Sequence, residues 1–411
     1  MKVLYLYSSG EFPTRKTVWS FIFAFRRHSD HLIYYHNVSI TPLPFWVKWV
    51  SFDLIVYSHY MTTPWNPERY RWRLEKLANS GLRGSRRVAF FQDEFFAVDL
   101  RSEFLSRLNV DTIYSVAPES EWPKIYPNLA TGVEVRPYLT GYVDPSDVAN
   151  HEVQKTEVRP IDVGYRTGWP STGMYKLGRF GALKFRIAEI FNARKGDLNF
   201  DIQTGSGFFN GSAWMKFLSK CRYVLGVESG ASLLDHNGAI GQCIQAYLEK
   251  SPTAGFDEVE KNCFPGLDGN LRLRAISPRV FEAAMTQTGL LLVEGEYNGI
   301  LKAGEHYLPI APDFSNIEQV LEDLKDEELR DRLVKTAHRD LIASGKYTFA
   351  SFVDGFFCSM EVKSHVGELD RLAYLMSRLT DAASWSALAL LTALRRLRLA
   401  LRALKLTAPN R

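Results

Sequence analysis

The chain has 411 residues, 46% hydrophobic and 23% charged, a balance that excludes disorder and gives enough length for two cores. Its net charge is +4, but six Arg or Lys and no acid lie from Ala382 onward; without those six charges the body stands at −2. A near-neutral body argues against nucleic acid as the main partner.

The first ten residues are too short and too quickly polar for a signal peptide and read as a first strand. No apolar run is long enough to cross a bilayer. The four cysteines (Cys221, Cys243, Cys263, Cys358) show no metal-type spacing and read as reduced thiols of a cytoplasmic protein. Short β-branched and aromatic runs at 2–7, 31–35, 52–57, 87–91 and 112–116 predict strands, with helices such as 67–79 and 99–107 between them. Residues 143–160 are polar, with Pro145 and Pro160 near the ends, and fit a linker. The pattern restarts with strands at 161–165, 199–202, 223–227 and 290–293, and 316–360 is mostly helical. The expected fold is α/β, with two Rossmann-like domains facing a cleft, where such sheets bind ligands. Expected boundaries are 1–145, a linker 146–160, a second domain 161–345, a helical segment 346–380 and a tail 381–411.

Residues 277–301 are the most informative stretch. Ser277 is a preferred N-cap and Pro278 suits the first helical position. Arg279 then sits in the first turn, where the helix dipole disfavours a cation unless an anion binds there. Glu282, a turn later, can accept hydrogen bonds from ribose or sugar hydroxyls. An ordinary capped helix with solvated charges satisfies the same residues.

The segments SerProArgValPheGluAlaAla and 294–307, with 160–168 and 223–235, resemble the C-terminal domain of bacterial GT-B glycosyltransferases. The similarity is to the glycosyl-transferase-like domain shared with spore-maturation proteins and surface-polysaccharide enzymes. It implies a hexosyl- or deoxyhexosyltransferase that takes a nucleotide-diphosphate sugar as donor substrate and needs neither a cofactor nor a metal. Arg166 and Lys184 are the implied diphosphate contacts, in a region with Gly164, Gly168 and Gly173; Arg186 is an alternative on a rotated helix. Ser229 and Gly230 are implied donor-loop contacts, joined by Tyr297, Asn298 and Gly299 near Ser277, Arg279 and Glu282. Many retaining relatives carry two glutamates eight positions apart; Glu282 matches the second, but the first is replaced by Arg274.

The first domain is expected to supply the acceptor site and any catalytic base. His59 ends a strand, where it could take the acceptor hydroxyl's proton, although a structural histidine suits the place better. Asp93 and Glu94 end another, and two acids among aromatics must face the cleft or have partners. The aromatic stretches 45–50 and 64–72 suit core packing, sugar stacking or a lipid interface.

In the tail, Leu390, Leu394, Leu397, Leu401 and Leu404 share a helical stripe beside Arg395, Arg398, Arg402 and Lys405. Such a helix over 385–406 can lie on an anionic membrane, extending a lipid-linked glycan at the inner face of the cell membrane. A heptad seam for homo-oligomers, or docking on the body, is the competing reading. The alternatives to glycosyl transfer are a nucleotide-sugar 2-epimerase of the same fold and a non-catalytic glycan-binding scaffold.

Overall fold

In the computed structural model the described residues are all except 11–15, 65, 150–158, 168–170, 195, 206–208, 210–212, 361–364 and 408–411; side chains of 149, 171, 172, 174 and 398–407 are also left aside. Gly168, most of the expected linker, and Leu401, Leu404, Arg398, Arg402 and Lys405 as side chains therefore lie outside this description.

Two parallel sheets form the body. The first contains β1 (Lys2–Tyr7), β2 (Leu32–Asn37), β3 (Phe52–Tyr57), β4 (Gly84–Phe91), β5 (Thr112–Ser115) and β6 (Glu134–Pro137), in the order β2-β1-β3-β4-β5-β6. The second contains β7 (Ile161–Thr167), β8 (Phe200–Thr204), β9 (Cys221–Gly226), β12 (Gly289–Val293) and β13 (Leu308–Ile310), ordered β13-β12-β9-β7-β8. An antiparallel pair, β10 (Ser229–Ala231) and β11 (Leu273–Ala275), stands beside it. Strand order reverses between β1 and β3 and between β7 and β9, so each sheet has a switch point at which the strand C-termini open a crevice.

Strand alternation sorts the core. In β1, Leu4 and Leu6 join one buried cluster, while Val3, Tyr5 and Tyr7 join the other. Phe349, Val353 and Phe356 from the helix Phe349–Cys358 belong to that second cluster, so the chain returns to the first sheet after completing the second. The sheets are also tied by backbone: Asp235 donates to Phe95 O at 2.8 Å, Asp99 to His236 O at 3.0 Å, and Phe349 to Val143 O at 2.9 Å.

Two expectations need correction. Cys243 and Cys263 form a disulfide with Cα atoms 5.5 Å apart, joining the helices Ala239–Lys250 and Phe256–Cys263, so these two are not free thiols. The tail is not a separate element starting at 381. It is the end of one 40-residue helix, Glu368–Thr407, whose first half docks on the first sheet. There Tyr7 donates its hydroxyl to buried Asp381 at 2.5 Å, and Trp385 and Leu388 enter the core. Docking residues recur every three or four positions, so periodicity alone could not mark where the helix leaves the body.

Candidate functional site

The site is built around the helix Pro278–Met285. Ser277 Oγ accepts from Arg279 N at 3.4 Å, and Asn298 Oδ1 accepts from Ile276 N at 2.6 Å. Thr140 of the first half donates to Ile276 O, and Gly141 faces Pro278 so closely that a Cβ would lie 2.9 Å from the proline Cβ. The first turn is thus fixed from both halves of the chain.

Arg279 is half-buried. It donates to Arg166 O at 2.8 Å, with its guanidinium 5.1 Å from the Tyr165 ring and 5.3 Å from the Trp214 ring. Lys184, on the helix Gly178–Asn192, lies close enough that burial and the Arg279 charge push its ammonium down to about 8, against the pull of Asp93. Among the described residues neither cation forms an ion pair. Glu282 accepts from Trp214 Nε1 at 2.7 Å; burial raises its carboxyl, partly offset by Trp214, Arg279 and Lys16. With Lys16, Thr17, Tyr142 and Asp147 it lines a cleft between the helices Lys16–Arg27 and Pro278–Met285.

Arg166 has another task than the one expected. It pairs with Asp201 at 2.6 Å, donates to two carbonyls and stacks 4.3 Å from the Phe217 ring, which holds β7 against β8. Arg186 is exposed and lies over Phe314. Ser229 and Gly230 are not in a ligand-cradling turn; they pair with Ala275 and Arg274 in the β10–β11 ribbon. Gly230 has φ 140°, and a Cβ there would meet Leu273 O at 2.0 Å, so the absent side chain admits a neighbouring strand. Arg274 braces the ribbon, bonding Ala231 O and Leu273 O while lying 3.2 Å over Phe180. Tyr297 is buried, its N–H given to Glu228 Oε1 at 2.6 Å and its hydroxyl to Val293 O. Tyr297, Asn298 and Gly299 all have positive φ and make a tight turn whose product is the Asn298 brace.

In the first sheet, His59 is sealed in. Burial drives its imidazole down to about 3, its Nδ1 has no hydrogen-bond partner among the described residues, and the Phe21 ring meets it edge-on with centroids 4.8 Å apart. It has no route to a reacting hydroxyl. Glu94 is fully buried, taking hydrogen bonds from Ser115 (2.7 Å), Val116 N (3.0 Å) and Tyr126; burial raises its carboxyl. It therefore does not face the cleft. Asp93 does the opposite: its side chain is exposed, at φ 52°, and its charge reaches Lys184 and Lys176. Fully buried Arg101 fixes that turn by donating to Asp93 O at 2.7 Å.

Structure thus brings together Arg279, Lys184, Glu282 and Asp93, held by Ser277 and Asn298. Sequence reading missed Trp214 and Lys16, which reach Glu282 from elements remote in the chain, and Lys176 and Arg101, which lie near Lys184 and Asp93 in sequence but carry no motif that marks them.

No family model matches the sequence, and no curated protein does. Solved structures with a similar fold include T4 phage BGT in complex with UDP-glucose: 12% identity, 88% of this chain and 100% of that chain, TM-score 0.50. Anabaena HepE in complex with UDP-glucose follows at 11%, 87% and 100%, TM-score 0.48. TarM matches at 9% identity over 76% of this chain, TM-score 0.43; the match spans only 56% of TarM. At such identities the likeness is one of fold, the two-domain Rossmann-like arrangement of GT-B.

Proposed function

We propose that this chain is a glycosyltransferase that moves a hexose or deoxyhexose from a nucleotide-diphosphate donor to a glycan or lipid-linked acceptor. The observation that carries this reading is the pair Arg279 and Lys184, without a direct ion pair among the described residues, at a capped helix N-terminus beside Glu282. Two half-buried cations without a direct ion pair among the described residues are costly unless a multivalent anion completes them. A diphosphate fits that demand, and Glu282 with Trp214 suits the attached pentose.

In the reaction the acceptor hydroxyl oxygen bonds to the anomeric carbon as the bond from that carbon to the diphosphate oxygen breaks. The leaving nucleoside diphosphate keeps the electron pair, and Arg279, Lys184 and the helix N-terminus balance its charge without a metal ion. Asp93 takes the acceptor proton if configuration is inverted. The cell role we assign is surface-polysaccharide synthesis in the cytoplasm, with the basic helix region 385–406 holding the enzyme on the inner membrane face.

Calorimetric titration with UDP, GDP and dTDP tests this. One nucleotide should bind, and Arg279→Ala should weaken it; binding of none sinks the enzyme reading in favour of a scaffold. Formation of an epimeric nucleotide sugar without acceptor would instead favour the 2-epimerase.

A further inference from the structure

Of the thirteen large apolar side chains exposed among the described residues, ten lie on two touching elements, the helix Glu368–Thr407 and the turn Phe45–Trp49. The helix buries Ala373, Ser377, Asp381, Ser384 and Leu388 against the body. At about 100° per residue, Leu372, Leu375, Leu379, Leu390, Leu394 and Leu397 fall on the opposite side. All six are exposed, Leu375 by 59% and Leu379 by 66%. A docked helix ordinarily shows polar residues to water; here Leu372, Leu375 and Leu379 are turned outward over the stretch that docks through Ala373, Ser377 and Asp381.

The turn extends that face. Trp46 is buried and its Nε1 donates to Thr380 Oγ1 at 3.3 Å, which fixes the turn against the helix. Phe45 (58% exposed) and Trp49 (45%) point out together, ring centroids 5.1 Å apart, with exposed Lys48 between them. Arg371, Arg378 and Arg396, all exposed, share one border of the leucine stripe. Beyond Asp370 the only acid in the helix is Asp381, which is buried. A second copy of the chain would therefore set arginine against arginine, whereas anionic headgroups would neutralise them. The helix is about 60 Å long at 1.5 Å per residue, and no helix of the described residues is apolar enough to cross a bilayer.

We infer that the membrane footprint is a composite surface: the outer leucine face of the docked half-helix together with Phe45 and Trp49, seated in the interface of an anionic bilayer. This rests on the peripheral-membrane reading above but moves its centre from the basic tail to the body of the enzyme. It lays the first sheet beside the lipid, with the interfacial tryptophan as an anchor.

The test is co-sedimentation of full-length protein with phosphatidylcholine vesicles, with and without phosphatidylglycerol. Binding should require the anionic lipid. L375Q/L379Q, with the tail intact, should lower partitioning by roughly tenfold or more, the scale for withdrawing two leucines from an apolar phase. L390Q/L394Q/L397Q should bind better than that double variant. Brominated acyl chains should quench wild-type fluorescence, and Trp49→Phe should remove much of the quenching, a readout that needs no folded-state comparison between leucine variants. Loss confined to the tail variant, or quenching untouched by Trp49→Phe, overturns the composite footprint while leaving tail anchoring. Failure of the wild type to bind any vesicle overturns both. A lipid-free dimer that L375Q/L379Q dissolves assigns the face to a second copy. Nucleotide titration is independent of each of these outcomes, so the enzymatic reading stands or falls separately.

Discussion

The two walls of the cleft hold their ionisable groups in opposite states. On the first sheet, His59 and Glu94 are sunk into the core; burial favours the neutral form of each, and Glu94 is satisfied by its own wall. Only Asp93 emerges. On the second, Arg279 and Lys184 stay half-buried, with carbonyls and rings around them but no carboxylate within ion-pair range among the described residues. A neutralised group stabilises the fold and can do little else, whereas a cation left without a counter-charge is a standing demand for an anion. The comparison separates groups that build the wall from groups that await a ligand.

The sharpest break is at Asp93. On its proposed role, Asp93→Asn lowers turnover by about 10²–10⁴-fold with nucleotide affinity kept, as loss of a general base does; steady-state kinetics against calorimetry separates the two. Arg279→Ala comes next, weakening nucleoside diphosphate binding by roughly 10–100-fold, the scale of a lost charge-assisted hydrogen bond. Titration at neutral pH measures it, and thermal unfolding shows whether the helix start survives.

Lys184 offers a graded version. Its free-enzyme value of about 8 lies below the ordinary lysine value of 10.5. The protonated form is the one that holds phosphate, so affinity should be steady below that pH and decline above it. In Lys184→Met the decline should vanish; if it persists, another group is responsible. Glu94→Gln belongs to the other wall and should behave as a stability change. The loss is about 1–3 kcal/mol for disturbed buried hydrogen bonds, read in denaturant, with turnover per folded molecule kept. Smallest of all, His59→Leu should leave the pH–rate profile unchanged.

Much of the architecture was legible in the residues. The aromatic and β-branched runs at 2–7, 52–57 and 161–165 all became strands, because alternating helices force a parallel sheet buried on both faces. β6 and β13 were missed; they are short edge strands, and EVRP carries little hydrophobic signal. Within the site, the Ser277 cap and the closeness of Arg279 to Glu282 follow from local helical spacing, which sequence expresses directly.

What sequence alone determined is therefore whatever depends on near neighbours: the strand runs, the two sheets and the capped helix start. Only tertiary structure decided which charges are available. Asp93 and Glu94 are adjacent, yet one is held out by a left-handed turn that Arg101 clamps, and the other is drawn inward by Ser115, Val116 and Tyr126. Arg166 is taken by Asp201 and Lys184 is not. Ionisation and access depend on burial and on partners distant along the chain, and no local pattern encodes where those partners arrive.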